Sequence, residues 1–272
     1  MKLNHEDVKE FYLKTNSTVI TAKFFNCSVS SIHFILKKFN IKTPKQGEAF
    51  KIYSHTDNFF EIIDCEEKAY WLGFLMADGY VSKSKNDITL ALGIKDKSHL
   101  LKYKNSINST SPVKDYVIGK GPFKGKEFSR INITSNKTKS DLENLGCVNA
   151  KSLILQFPNI DKSLHNHFIR GYFDGDGSVF LSNDKHHRSG KISSIIYVSI
   201  VGTLEFLNSM FSIINIGTKE CIKRNHKLVL NNTFQYKVKR YERCKQFYEY
   251  LYKDATLYLE RKKQIFDNYF KE

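Results

Sequence analysis

Hydrophobic positions recur with two different periods along the chain, and each period predicts a different kind of element. Within residues 5–40, Val8, Phe11 and Tyr12 recur at helical spacing, and the apolar positions that follow predict a second and a third helix. Strict alternation of apolar and polar residues marks "ITLALGI" and "FSRINIT", and later "SSIIYVSIV" and "FQYKVKRY", which predicts strands with one buried face. The pattern therefore predicts a helical N-terminal unit followed by a region of mixed helices and strands.

The mixed region contains one pattern twice. Residues 71–79, "WLGFLMADG", and residues 169–177, "IRGYFDGDG", are apolar runs that end in Asp-Gly, and each has a glycine at the same distance before its acid. Strand patterns and then helical patterns follow both runs, which indicates an internal duplication. A glycine inside a helix costs about 1 kcal/mol relative to alanine. Gly73 and Gly171 therefore predict that the two helices approach each other closely.

The two acids, Asp78 and Asp176, are predicted to lie at helix C-termini, with Gly79 and Gly177 in the left-handed conformation just beyond them. A carboxylate at that end of a helix is disfavoured by a few tenths to about 1 kcal/mol. Parallel pairing of the helices would add repulsion between the two carboxylates. A divalent cation relieves both effects, and oxygen ligands suit Mg²⁺ or Mn²⁺. A lone Asp-Gly indicates only a turn, but two copies in matched contexts predict a metal site.

The charge of the chain indicates the class of partner. The formal net charge is +15, and residues 218–245 hold nine Lys or Arg residues and two acids, with aromatic residues among them. Such a concentration favours nucleic acid over a generally basic surface. Five cysteines without a Cys-x-x-Cys pair suggest neither a disulfide framework nor a zinc site. No apolar run approaches the length of a membrane span and the start of the chain is acidic, so we expect a soluble, cytoplasmic or organellar protein without a membrane partner.

The N-terminal helices resemble a helix-turn-helix. Asn26 suits a tight turn between two helices, and Ser28 is placed to cap the third. Ser30, Ser31 and His33 would then face a DNA major groove. An ordinary three-helix bundle is the alternative, and the excess of lysine in this segment favours the DNA-binding interpretation. Pro and Gly after this segment, and the absence of sustained periodicity, predict a linker over residues 46–64.

The two apolar runs resemble the signature helices of single-chain LAGLIDADG homing endonucleases, over roughly residues 65–272. The resemblance implies an α+β fold of two pseudo-symmetric αββαββα-type lobes, residues 65–160 and 161–272, which together form a DNA-binding saddle. The helix-turn-helix-like domain, residues 1–45, precedes them along the chain. It also implies a site-specific, metal-dependent endonuclease that acts as a monomer on a long asymmetric double-stranded DNA site. The sequence departs from the signature at four positions, namely Trp71, Leu72, Met76 and Arg170.

The resemblance implies roles for individual residues. Asp78 and Asp176 would be the catalytic metal ligands, with the carbonyl groups of Ala77 and Gly175 as co-ligands. Lys239 and Lys137 are the basic residues predicted to assist catalysis. The residues predicted to contact DNA are Ser30, Ser31, His33, Lys83, Lys85, Lys120, Lys124, Lys126, Arg130, Asn132, Lys185, His187, Arg188, Lys191, Lys223, Arg224, Lys227, Lys237, Lys239 and Arg240.

Two other functions are compatible with the same signature. One is an intron maturase, which binds intron RNA and aids splicing, and the other is a transcription regulator that binds DNA without cutting it. Retention of both acids, Asp78 and Asp176, argues against the non-cleaving class. The maturase interpretation stays open on sequence alone.

Overall fold

The structure is a computed structural model that describes residues 3–15, 17–43, 53–185, 192–216, 222–224 and 233–271. The chain divides into two compact units, Met1–Tyr53 and Ser54–Glu272. Among the described residues, no single helix is long and apolar enough to cross a membrane, and one bent pair of helices in the N-terminal unit meets that test by length and composition only.

The N-terminal unit consists of three helices: α1 (His5–Thr15), α2 (Thr18–Phe24) and α3 (Val29–Lys38). The chain direction changes by 108° between α2 and α3. Asn26 adopts the predicted left-handed conformation, with φ 50°, and the Ser28 side chain accepts a hydrogen bond from the Ser31 N–H, as a helix cap does. Val8, Ile32 and other apolar residues of the predicted helical faces form the core of this unit.

The larger unit contains two lobes that share the order αββαββα, and the second lobe ends with one further helix. The first has α4 (Glu66–Asp78), β1 (Gly79–Val81), β2 (Asp87–Gly93), α5 (Lys97–Ser106), β3 (Lys114–Val117), β4 (Glu127–Thr134) and α6 (Asn136–Asn144). The second has α7 (His165–Asp176), β5 (Ser178–Lys185), β6 (Ile192–Gly202), α8 (Leu204–Ile214), β7 (Ile222–Arg224), β8 (Phe234–Val238), α9 (Tyr241–Tyr252) and α10 (Glu260–Phe270).

Each lobe builds a four-stranded antiparallel sheet, with strand order β1-β2-β4-β3 in the first and β5-β6-β8-β7 in the second. Ile88, Leu90 and Ile131 point into the core, while the residues between them face away from it, as the alternation predicts. The matching strand orders confirm the predicted fold of two pseudo-symmetric α+β lobes. Each sheet therefore has one face that packs on the core, and the outer face is polar on the first sheet.

The predicted linker is too long. Its first part, to residue 52, lies outside the described residues, but residues 54–64 pack on the first lobe. Phe59 and Phe60 are buried in the main core, and the Thr56 N–H donates to the Ile107 carbonyl at 2.8 Å. The segment lacks a regular period because it buries only this aromatic pair. Hydrophobic periodicity therefore does not predict the contribution of residues 54–64 to the core.

Candidate active site at the paired helix ends

Helices α4 and α7 pack side by side and run parallel. The glycine of each helix contacts the backbone of the other at an equivalent position. A Cβ atom at Gly73 would lie 2.1 Å from the Phe168 carbonyl oxygen, and one at Gly171 would lie 1.9 Å from the Tyr70 carbonyl oxygen. These distances leave no space for a side chain, which confirms the predicted reason for both glycines. Asp78 and Asp176, at the ends of these helices, therefore lie close together.

Gly79 and Gly177 end the helices in a different conformation from the predicted one. Their φ angles are −73° and −76°, with extended ψ, so the left-handed expectation is wrong. A Cβ atom would lie 2.6 Å from the Leu75 carbonyl oxygen at Gly79 and 2.4 Å from the Phe173 carbonyl oxygen at Gly177. Glycine is needed because the chain passes close over the last helical turn as it enters the first strand of each lobe.

The carboxyl groups of the pair reach solvent but are closely surrounded by protein. Desolvation, followed by repulsion from Asp176, raises the pKa of Asp78 to about 6. Desolvation also raises the pKa of Asp176, against the attraction of Lys151 and Lys262. Both groups are therefore harder to ionise in the protein alone than in water. A cation between them would reverse that effect.

The two lysines of this site, Lys151 and Lys262, were not predicted from the sequence. Both are buried, and the pKa of Lys262 falls to about 8 because of burial. Lys151 donates from Nζ to the Gly79 carbonyl at the end of α4. Lys262 donates to the Phe173 and Asp174 carbonyls at 2.7 Å each and to the Gly177 carbonyl. Each lysine thus donates to carbonyl groups at the C-terminal end of one signature helix, where backbone carbonyls lack partners within the helix.

The sequence carries little signal that Lys151 and Lys262 belong to this site. The carbonyls that they bind, at Gly79 and Gly177, occupy equivalent positions of the two repeats. Lys151, however, follows Ala150 in a short 3₁₀ helix, whereas Lys262 lies in the first turn of α10. The two lysines therefore reach equivalent places from different elements. Comparison of the two halves of the sequence does not align them.

The residues at the helix ends fit a divalent metal. Mg²⁺ is usually held by one or two carboxylates, with water and phosphate oxygens completing its shell. Asp78 and Asp176 supply that number, and within the described residues no group of three or more His, Cys, Asp or Glu residues forms an alternative metal site. The Gly175 carbonyl, a predicted ligand, lies 3.1 Å from the Lys262 Nζ, so the lysine already contacts that oxygen.

The predicted basic catalytic residues lie in different surroundings. Lys137 donates to both Asp141 carboxylate oxygens, at 2.7 and 2.8 Å, and pairs with Glu61 at 3.2 Å, so its charge is balanced there. Lys239 lies with its Nζ 5.1 Å from the centre of the Tyr197 ring, which itself stacks on exposed Phe180. Neither set of contacts involves the carboxylate pair.

The first lobe presents most of its predicted DNA-binding residues to solvent. Lys83, Lys85, Lys120, Lys124, Lys126, Arg130 and Asn132 are all exposed. Arg130 and Asn132 lie on the polar face of β4, where the Asn132 side-chain oxygen accepts a hydrogen bond from Thr89 at 2.5 Å. Arg130 lies over the Tyr116 ring, 5.2 Å from its centre. This face therefore offers hydrogen-bonding groups in a fixed arrangement.

The other predicted DNA contacts are only partly described. Lys237 is half-buried on β8 between two core residues, and Arg240 is exposed beyond that strand with φ 77°. Lys185 lies on β5, and Lys223 and Arg224 lie on β7. His187, Arg188, Lys191 and Lys227 lie outside the described residues.

In the N-terminal unit, Ser30 and His33 are exposed on α3, and Ser31 is partly covered. The Ser31 hydroxyl lies 2.8 Å from that of Ser28, and His33 Nδ1 lies 3.0 Å from the Thr43 hydroxyl. Ser30 and Ser31 also line an open cleft of about 820 Å³ between α3 and the start of α1.

Comparison with known proteins identifies the fold. The I-LtrWI LAGLIDADG homing endonuclease bound to target DNA matches with a TM-score of 0.51 and 12% identity, over 76% of this chain and 89% of that one. The meganuclease I-SmaMI bound to uncleaveable DNA matches with a TM-score of 0.50 and 14% identity, over 78% and 89%. The I-SmaMI LAGLIDADG homing endonuclease bound to cleaved DNA gives 0.50 and 11%, over 76% and 88%. No family model and no curated protein matches the chain.

Proposed function

We propose that this chain is a site-specific DNA endonuclease of the LAGLIDADG homing type, which cuts both strands of double-stranded DNA with Mg²⁺ or Mn²⁺. The observation that carries the proposal is the carboxylate pair, Asp78 and Asp176, at the ends of two parallel helices joined through glycine. Desolvation and mutual repulsion raise the pKa of Asp78 in the protein alone. Holding two carboxylates together has an electrostatic cost. Cation binding by the pair explains why the fold keeps them there.

The residues of the site are proposed to have different roles. Asp78 and Asp176 hold the metal, and the Ala77 and Gly175 carbonyls are further candidate ligands. A divalent metal bound there would supply activation of a water molecule and neutralisation of charge on the phosphate group. Lys151 and Lys262 stabilise the two helix ends and bring positive charge to a place where DNA phosphates would approach.

The outer faces of the two sheets are the surfaces proposed to bind DNA. They carry Arg130 and Asn132 in the first lobe and Lys237 in the second, where Lys239 follows just beyond the end of β8, and antiparallel strands fit the major groove. The net charge of +15 attracts a polyanion to these faces. The solved proteins of the same fold were crystallised on DNA, I-LtrWI on its target and I-SmaMI on cleaved DNA, which supports double-stranded DNA as the partner.

The N-terminal unit is proposed to add contacts in the manner of a helix-turn-helix, with α3 in the major groove. The sharp turn at Asn26 and the exposed Ser30 and His33 support this role.

A selection followed by cleavage tests the proposed function. Fragments from a randomised double-stranded pool are selected for binding in EDTA, cloned into a plasmid and incubated with the protein and Mg²⁺. We expect linear product from the wild-type protein, and none from the Asp78→Asn/Asp176→Asn double variant, which should still bind DNA in EDTA. Each single variant should cleave much more slowly and leave nicked plasmid.

Asp267→Asn is the matched control, because Asp267 is a carboxylate of α10 that pairs with Lys263 and lies outside both the carboxylate pair and the sheets. It should keep cleavage activity. Full cleavage by the double variant would exclude the proposed mechanism. Tight binding by the wild-type protein without cleavage in any divalent metal would indicate a non-cleaving regulator instead.

A further inference from the structure

The position two residues before the acid is apolar in one signature helix and charged in the other. When the glycines and acids of α4 and α7 are matched, Asp174 of α7 is equivalent to Met76 of α4. Met76 is buried among apolar residues of the core, whereas Asp174 is a carboxylate that is only 1% exposed. A buried carboxylate costs stability unless its oxygens are fully hydrogen-bonded.

Three donors satisfy Asp174. The Tyr70 hydroxyl donates at 2.7 Å and the Tyr252 hydroxyl at 3.1 Å. The backbone N–H of Leu259 donates at 2.7 Å. Leu259 immediately precedes α10, so the carboxylate binds the N-terminal end of that helix, where a negative charge is favourable.

Helices α7 and α10 are joined by a second contact, in which the side chain belongs to α10. Lys262 lies in the first turn of α10, is 4% exposed, and donates to the Phe173 and Asp174 carbonyls at 2.7 Å each. Asp174 therefore binds the start of α10 through its side chain, while α10 binds the end of α7 through Lys262. A shift of α10 would break both connections together.

The first lobe holds its lysine without such a connection. Lys151 follows Ala150, which has φ 54°, and the neighbouring Asn149 side chain donates to the Val81 carbonyl at 2.8 Å. The turn and the Asn149 bond thus set the position of Lys151, and the residue equivalent to Asp174 is the apolar Met76. The two halves of the site depend on different supports.

We propose that Asp174 is a positioning residue that sets the place of α10, and hence of Lys262 at the carboxylate pair, so that its loss slows cleavage of one DNA strand more than the other. The preference for one DNA strand rests on the proposed endonuclease function. The placement of Lys262 by Asp174 does not depend on that function.

The first experiment measures the placement of Lys262 without DNA or metal. The full chain is treated briefly with an acylating reagent, and modification of each lysine is quantified by mass spectrometry. In Asp174→Asn we expect modification of Lys262 to rise at least about threefold because α10 opens locally, while modification of Lys151 stays unchanged. Asp267→Asn is the matched control, since it removes a carboxylate of α10 that binds Tyr248 and Lys263 but does not contact Lys262.

Tyr252→Phe provides a milder second variant, because it removes only the longest of the three hydrogen bonds. It should raise the modification of Lys262 by less than Asp174→Asn does. Unchanged modification of Lys262 in both variants would overturn the proposal. An equal rise at Lys151 and Lys262 would also do so, because it would show general loosening of the fold.

The second experiment follows each DNA strand separately, with different labels on the two 5′ ends of a selected target. Asp174→Asn should slow one strand by about tenfold more than the other, as expected for loss of a charge-assisted hydrogen bond. Lys262→Met should slow the same strand, and the Asp174→Asn/Lys262→Met double variant should be no slower than Lys262→Met alone. Lys151→Met should mainly affect the other strand.

Equal slowing of both strands by Asp174→Asn would contradict the strand preference. Additive effects of Asp174→Asn and Lys262→Met would contradict action through the lysine. Absence of cleavage by the wild-type protein would instead remove the proposed function, and the acylation experiment would then decide alone whether Asp174 positions Lys262.

Discussion

The surroundings of the Asp78 carboxyl group make its charged form less favourable than it is in water. Its pKa of about 6 lies well above the ordinary value of 3.8, because of desolvation and then the nearby Asp176. Lys262 and Lys151 oppose this shift but do not cancel it. At the scale of the residue, therefore, the carboxylate pair carries an electrostatic cost that a bound cation would relieve.

The raised pKa predicts how stability depends on pH in the absence of metal. Between about pH 4 and pH 6 the folded protein holds a proton on Asp78 that the unfolded chain releases, so the free energy of unfolding falls as the pH rises through this range. Asp78→Asn removes the effect. In EDTA, its melting temperature should exceed that of the wild-type protein at pH 8, and the difference should vanish near pH 4.

Asp115→Asn is the control for this prediction. Hydrogen bonds from Lys97 and Ser129 lower the pKa of Asp115, so this carboxylate stabilises the folded state above its unfolded pKa. Its replacement should therefore lower the melting temperature at pH 8, the opposite sign to Asp78→Asn. The same sign in both variants would count against the assigned environment of Asp78.

At the scale of the element, two helices and one irregular segment join the two lobes of the unit Ser54–Glu272. Glycines let α4 and α7 pack backbone to backbone. The segment between α9 and α10 crosses this pair and is tied to it by charged groups. Glu66 accepts from the Thr256 and Leu257 N–H groups, and Arg170, which departs from the family signature, donates to the Leu257 carbonyl at 2.8 Å. Arg170 also pairs with Glu66 at 2.5 Å, so the departure has a structural role.

The packing of α4 on α7 predicts a large effect of one methyl group. In Gly171→Ala the added Cβ would lie 1.9 Å from the Tyr70 carbonyl oxygen, and a backbone atom inside a buried helix cannot move aside. We expect a loss of more than about 2 kcal/mol in the free energy of unfolding, measured by urea denaturation. Gly93→Ala, where nothing lies within 4 Å of the added Cβ, should change it by less than about 0.5 kcal/mol.

At the scale of the whole molecule, two separately packed units share one strongly basic chain. The unit Ser54–Glu272 contains both lobes and the carboxylate pair, while Met1–Tyr53 contains the three N-terminal helices. Each unit has its own apolar core. The proposed DNA contacts are divided between the units, and the proposed chemistry is confined to one of them.

Deletion of residues 1–53 should therefore leave a folded nuclease with a shorter recognition site. The N-terminal unit is expected to add affinity by increasing the number of linked contacts, without contributing to the carboxylate pair. Footprinting should show protection lost on one side of the site, and plasmid cleavage should persist at higher protein concentration. A folded but inactive truncated protein would show that the N-terminal unit belongs to the catalytic part.

Binding to DNA should weaken steeply with salt. Each phosphate neutralised by Lys or Arg contributes close to 0.9 to the slope of log affinity against log salt concentration. A net charge of +15 and the exposed lysines of the first lobe predict several such contacts. Fluorescence anisotropy with target and random DNA should show the slope for both. An affinity that does not change between low and physiological salt would contradict a DNA-binding role.

The sequence by itself determined the elements and the main carboxylates. Helical periodicity, glycine spacing and strict alternation are local properties, and they predicted α4, α7, the strands and the place of Asp78 and Asp176 at paired helix ends. Only the tertiary structure decided what surrounds that pair. Lys151 and Lys262 reach equivalent carbonyls from unrelated elements, Phe60 joins the core from a segment without a period, and Gly79 is required by close approach rather than by a left-handed turn. Contacts between distant residues leave no periodic signal along the chain, which is the physical reason that these features could not be predicted.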